Sequence, residues 1–227
     1  MKVLLWDIDG TLLRANKAGQ YTFQQATMEI FQSQYDFSDI PTAGMTDYYI
    51  AYQIISKITG KEPDQVTVKR LVEKYEQLLP TFLDIRKGFV IPSAIIILEK
   101  LVGNANYLSL LLTGNTLAGA KEKLNYYEIA NYFNFANSSF GDGCLERAVV
   151  AEKALEKVRR NYPKVLLDDI VVIGDTPQDI LCGKRIGVKT VAVATGKYKL
   201  SELREYSPWW GIDVLPSPNE FIDKLEQ

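Results

Sequence analysis

A doubly wound α/β fold is what this sequence predicts, on three observations. Residues 3–6, 108–112, 170–173 and 188–194 form short apolar runs broken only by Ser109, Lys189 and Thr190, closer to strands buried on both faces than to half-exposed strands, which alternate. Helical patterns over 118–127, 147–162 and 177–186 separate the later runs, which is the order that makes parallel βαβ crossovers. Every run is followed by Asp, Thr, Gly or Asn, and in open α/β sheets ligands bind at the carboxyl ends of the strands.

The first run meets Asp7 before any signal-like segment accumulates, and no later apolar stretch approaches the roughly 20 residues that cross a bilayer. The second ends in Thr113-Gly114-Asn115. The third runs into Gly174-Asp175, with Pro177 placed to start a helix, and the fourth stops at Thr195-Gly196. About three crossover lengths separate the first two strands, and this gap carries helix-spaced apolar residues over 18–34, 46–59 and 63–83, interrupted by Pro41, Gly44, Gly60 and Gly88. The reading is a catalytic core of residues 1–14 and 89–227, with 15–88 inserted as a helical cap over the carboxyl ends of the strands and a core helix following over 92–102.

With 26 Lys plus Arg against 28 Asp plus Glu and 47% hydrophobic residues, the composition is that of a globular chain with no general attraction to nucleic acid or anionic membrane. There is no histidine, which excludes imidazole bases, His-ligated zinc and Ser-His-Asp systems. Cys144 and Cys182 form no CxxC pair and read as buried thiols in a reducing compartment. The expectation is a cytoplasmic protein, monomeric or a small homo-oligomer, whose partner is a small molecule.

Asp7-Ile8-Asp9-Gly10-Thr11 carries the strongest chemistry. Its four informative identities would recur by chance in about 0.3% of chains this long, from average residue usage. While the backbone stays extended, Asp7 and Asp9 leave on the same side, and Gly10 permits the turn. Two carboxylates so close repel, so that one pKa rises or a cation joins them. Both outcomes suit catalysis, with Mg2+ on one carboxylate and the other acting as general acid and base.

The segment Asp7-Ile8-Asp9-Gly10-Thr11-Leu12-Leu13 resembles the first motif of the haloacid dehalogenase superfamily, and three further motifs follow in order. Residues 110–115, ending in Thr113-Gly114-Asn115, are similar to the second, and 171–179, with Asp175 and Asp179, to the fourth. The third usually offers a lysine. Here Phe140-Gly141-Asp142 leads to Arg147, which takes that role by resemblance, with Lys121 and Lys123 as stand-ins. The resemblance implies a phosphatase acting on a small phosphorylated metabolite. Asp7 is then the nucleophile and Asp9 the general acid and base. Thr113 and the Gly114 and Asn115 amides hold the phosphoryl oxygens, and Arg147 neutralises charge. Mg2+ sits among Asp7, Asp9 and Asp175, Asp179 orients a neighbour or ligates directly, and Thr11 steadies the loop or caps a turn.

Asp9 also separates branches, since dehalogenation has no alkoxide to protonate. In the insertion, Gly44-Met45-Thr46-Asp47 is similar to a substrate-facing cap loop of phosphoglycolate phosphatase-like members, in which relatives often have a cation where Met45 stands. Thr46-Asp47 also reads as a helix N-cap. Tyr48, Tyr49 and Tyr52 read as packing, and Trp209-Trp210 as an anchored loop. The alternatives are a phosphomutase of the β-phosphoglucomutase kind, whose cap commonly uses a histidine absent here, and a non-catalytic binding module.

Overall fold

The computed structural model describes residues 1–34, 36 and 39–227. Five strands form one parallel sheet: β1 (Lys2–Trp6), β4 (Tyr107–Leu111), β5 (Ile170–Gly174), β6 (Lys189–Val193) and β7 (Trp210–Ile212), in the spatial order β4-β1-β5-β6-β7. The chain leaves β1 to one side for β4 and returns to the other for β5, so the topological switch lies at the carboxyl end of β1, where Asp7 follows.

Side-chain parity divides the core into two layers. Val3 and Leu5 of β1 pack with Leu110, Ile170 and Val172 against α6 (Arg147–Asn161) and α7 (Pro177–Ile186). Leu4 and Trp6 face the other way, onto α4 (Pro92–Leu101) and α9 (Pro218–Leu225), where Trp6 lies 6.0 Å from the Phe221 ring. Burial on both faces explains the largely apolar runs. The fifth strand is a correction: Trp209-Trp210 reads as a loop, but Trp210 pairs with Val191. The segment is three residues long and its Trp-Gly-Ile pattern has no period to detect.

Between β1 and β4 the chain runs through β2 (Leu13–Arg14), α1 (Ala18–Phe31), α2 (Asp47–Thr59), α3 (Gln65–Arg86) and β3 (Phe89–Val90). The two-residue strands β2 and β3 pair antiparallel, Leu13 with Val90 and Arg14 with Phe89, so the chain departs and returns side by side. Helices α1 and α3 pack face to face, with the Phe23 and Tyr75 rings stacked at 4.1 Å. Helix α3 also packs on α5 (Leu117–Tyr126) of the sheet unit, which brings the insertion to the ends of the strands. The sequence reading runs α1 to residue 34, but its last helical residue is Phe31, followed by Gln32 in the left-handed conformation. Helix α8 (Leu200–Glu205) completes the fold. Among the described residues no helix is long and apolar enough to cross a membrane.

Candidate active site

Asp7 continues the parity of Val3 and Leu5, so its carboxylate points into the layer of α6, whose first residue is Arg147. The Asp7 amide still belongs to the sheet, donating to the Ile173 carbonyl at 2.9 Å. The Arg147 guanidinium donates to Asp7 Oδ1 at 2.6 Å and to Asp179 Oδ1 at 2.5 Å, and all three residues are at most 5% exposed. The second oxygen of Asp179 accepts from the Thr176 amide (3.0 Å) and hydroxyl (2.7 Å) in the capping box that starts α7. One carboxylate oxygen of Asp179 thus serves a helix cap and the other holds Arg147.

One oxygen from each of Asp7, Asp175 and Asp179 lies within 4.8 Å of the others. Asp175, 3% exposed, accepts from the Thr11 hydroxyl at 3.0 Å, a more specific task for Thr11 than steadying a loop. Burial pushes the Asp7 carboxyl up to about 7 despite the pull of Arg147, with Asp179 and Asp9 adding repulsion. Burial and the repulsion of Asp7 and Asp179 raise Asp175 well above the usual carboxylate range. Burial opposes the Arg147 charge too, yet Asp179 and Asp7 outweigh it and hold the guanidinium more firmly protonated than usual. Three buried carboxylates against one guanidinium leave an excess of negative charge on oxygen donors, which suits a hard divalent cation.

The Asp9 side chain is not among these three grouped carboxylates. Its half-exposed carboxylate turns to the other wall, where Oδ2 accepts from Lys123 Nζ at 2.5 Å and from Asn115 Nδ2 at 2.9 Å. Lys123 Nζ also donates to Asn115 Oδ1 at 2.6 Å. Asn115 donates to the Thr113 hydroxyl twice, from its amide side chain at 2.9 Å and its backbone at 3.3 Å. Both lone pairs of that hydroxyl are thus engaged, and its proton remains for an incoming oxygen. The Asn115 backbone amide, expected to grip phosphoryl oxygens, lies 3.3 Å from the Thr113 hydroxyl, and its side chain joins Asp9, Thr113 and Lys123. Of the two stand-in lysines, Lys121 sits 5.8 Å over the Phe135 ring, outside the site. Lys123 falls on the buried stripe of α5 with Gly119, Ala120 and Leu124, and a lysine on a core-facing stripe was the signal to weigh.

The loop ahead of α2 seals the opposite side. Gly44 has φ +75°, and a Cβ there would meet the Thr176 hydroxyl; a Cβ at Gly114 would run into the Met45 carbonyl. Thr46 caps α2, accepting from the Tyr49 amide at 3.0 Å, and donates to the Cys144 carbonyl at 2.6 Å. The Asp47 amide donates to the Gly114 carbonyl at 2.9 Å, and its carboxylate accepts from the Thr116 amide at 2.9 Å. Burial pushes the Asp47 carboxyl up to about 7 against the pull of Lys123 and the Thr116 amide. The sequence reading gives Asp47 a place in a substrate-facing loop and in a helix N-cap; the structure adds that it ties the insertion to the start of α5. Tyr48 and Tyr52 pack against the core, as read. These walls enclose a cavity of about 450 Å³, within the range of small-molecule sites. Asp7, Asp9, Asp175, Gly114, Asn115, Lys123 and Arg147 line one side; Phe23, Gly44, Met45, Ile50 and Tyr75 line the other.

The family model of haloacid dehalogenase-like hydrolases matches residues 4–193. No curated protein matches the chain significantly. Among solved structures, a haloacid dehalogenase hydrolase of family IA, variant 3, from Entamoeba histolytica is similar with a TM-score of 0.77 at 18% identity, covering 100% of each chain. A hydrolase from Pseudomonas syringae gives 0.74 at 20% identity over 99% of each. A predicted phosphoglycolate phosphatase from Haemophilus somnus gives 0.70 at 17% identity, covering 100% of this chain and 98% of its own.

Proposed function

Since the chain belongs to the haloacid dehalogenase-like hydrolase family, we propose that it is a magnesium-dependent phosphatase that hydrolyses a small phosphomonoester through an aspartyl phosphate on Asp7. The observation that carries this reading is the division of labour between two carboxylates two residues apart. Asp7 is buried and held by Arg147, whereas Asp9 is half exposed in the same cavity. A fixed, oriented carboxylate serves as nucleophile, and a solvent-facing one can exchange protons.

In this reading Asp7 attacks phosphorus, the Thr113 hydroxyl donates to a phosphoryl oxygen, and Arg147 offsets the negative charge gathered there. Asp9 gives its proton to the leaving oxygen, then takes one from the water that cleaves the acyl phosphate. Asp7 and Asp175 would hold Mg2+, with Thr11 orienting Asp175, and the ion would supply charge neutralisation to phosphate and nucleophile. Residues 15–88 act as a cap that selects the leaving group and excludes water, for which the contacts of Gly44 and Met45 with the core loops give support.

A panel of phosphorylated metabolites assayed for phosphate release tests the proposal. Release from at least one ester should need Mg2+, stop on exhaustive chelation and stop in Asp7→Asn. Full activity after chelation, or isomerisation of a sugar phosphate without phosphate release, would contradict it.

A further inference from the structure

We infer that Lys123 is a binding site for an anionic group on the leaving portion of the substrate, so that the preferred esters carry a carboxylate or a second phosphate close to the scissile bond. This rests on the phosphatase reading and deepens it. Lysine is rarely fully buried, yet Lys123 is 4% exposed and lines the cavity. Its ammonium has three donors. Two go to Asp9 Oδ2 and Asn115 Oδ1, and among the described residues no other protein acceptor is bonded to the third.

The principal charge partner of Lys123 is the residue that must carry a proton to the leaving oxygen. Lys123 lines the cavity beside Asp9 and Asn115, so an anionic group on a substrate held there can accept the third donor. Lys123 Nζ lies 2.5 Å from Asp9 Oδ2, the other carboxylate oxygen is about 2.2 Å from it, and a hydrogen bond from that oxygen to the leaving oxygen adds about 2.8 Å, placing the ammonium within about 7.5 Å of the leaving oxygen. The anionic group therefore sits on the first few carbons of the leaving group. Arg14, Lys17 and Lys197, which also line the cavity, favour the approach of such esters.

The test compares kcat/KM within two ester pairs that differ only in the added charge: phosphoglycolate against its neutral amide, and ethylene glycol bisphosphate against the monophosphate. The wild-type protein should prefer the charged member of at least one pair by about 10- to 100-fold, the scale of a charge-assisted hydrogen bond. The pair showing the preference tells carboxylate from second phosphate. Lys123→Met should bring that ratio to within about threefold of unity, and Lys123→Arg should retain most of it. Taking the ratio cancels any effect of Lys123 exerted through Asp9. No wild-type preference, or a ratio preserved in Lys123→Met while both members slow together, would overturn the inference. If Lys123→Met turns over neither member, calorimetric binding of the same esters to Asp7→Asn and to Asp7→Asn/Lys123→Met gives the ratio. If the wild type turns over no ester at all, the phosphatase reading fails, and the same calorimetry on the wild-type protein still decides for or against Lys123.

Discussion

Replacing Arg147 with Met keeps most of the buried volume but removes the one guanidinium between two carboxylates. The pairs it forms, 2.6 Å to Asp7 and 2.5 Å to Asp179, are almost wholly excluded from water. Removing one member of a buried ion pair costs about 3–5 kcal/mol, because the partner stays buried and uncompensated. The cost depends on pH, and its sign follows from Asp7. The folded-state carboxyl stands at about 7, above its ordinary value of 3.8. Its ionised form therefore lowers stability, fully above pH 7 and progressively less as pH falls toward the unfolded value. Without Arg147 the upward shift grows, so near pH 5 Asp7 is neutral and escapes the penalty, leaving about 1–2 kcal/mol from the hydrogen bond lost at Asp179. Urea unfolding of both proteins in metal-free buffer at pH 5 and pH 8 measures the difference. The wild-type carboxyl stands at about 7, so the deficit grows by at most about 1.4 kcal/mol between pH 5 and pH 8, and at pH 8 the variant should be weaker by about 2–3 kcal/mol, or about 4–12 °C in Tm for a chain of this size. A deficit below 1 kcal/mol at pH 8, or the same deficit at both pH values, would refute the account of Arg147 as the neutraliser of Asp7.

Asp9→Asn should lower kcat on alkyl esters by about 10²- to 10⁴-fold, and much less on an activated aryl phosphate whose leaving group needs no proton; equal losses on both would assign Asp9 to geometry alone. Asp47→Asn keeps an acceptor for the Thr116 amide while removing a carboxyl that burial raises to about 7. The cost of that charge accrues as pH rises from the unfolded value of 3.8 to about 7, so the variant should gain about 1–3 kcal/mol at pH 8.5 and about a third of that at pH 5. A loss at pH 8.5 would mean that attraction to Lys123 outweighs burial. Gly114→Ala drives a methyl group into the Met45 carbonyl, and displacing that loop should cut kcat/KM on alkyl esters by about 10- to 100-fold. Unchanged turnover would remove the loop from the chemistry.

Much of the fold was legible because double burial writes itself as largely apolar runs: β1, β4, β5 and β6 each lie within a residue or so of their expected bounds. The same physics hid β2, β3 and β7. Two- and three-residue strands are set by pairing with distant partners, Leu13 with Val90 and Trp210 with Val191, and have no periodicity of their own. At the site, Asp7, Asp9, Thr113, Arg147 and Asp175 were readable as identities at strand and helix ends. Their partners were not. Whether Asp9 turns to the acidic cluster or to Lys123 depends on a side-chain torsion, and the meeting of Asp47 with Thr116 depends on how α2 packs beside α5, across 69 positions of sequence.

The central claim is that Asp7 takes the phosphoryl group. Acid quenching of the protein during turnover of a small phosphomonoester in Mg2+, followed by peptide mass spectrometry, examines it directly. The account predicts one phosphoryl group on the peptide that contains Asp7, absent from Asp7→Asn and accumulating in Asp9→Asn with an aryl phosphate. A phosphoryl group on any other residue, or phosphate release by Asp7→Asn at more than about one per cent of the wild-type rate, would contradict it.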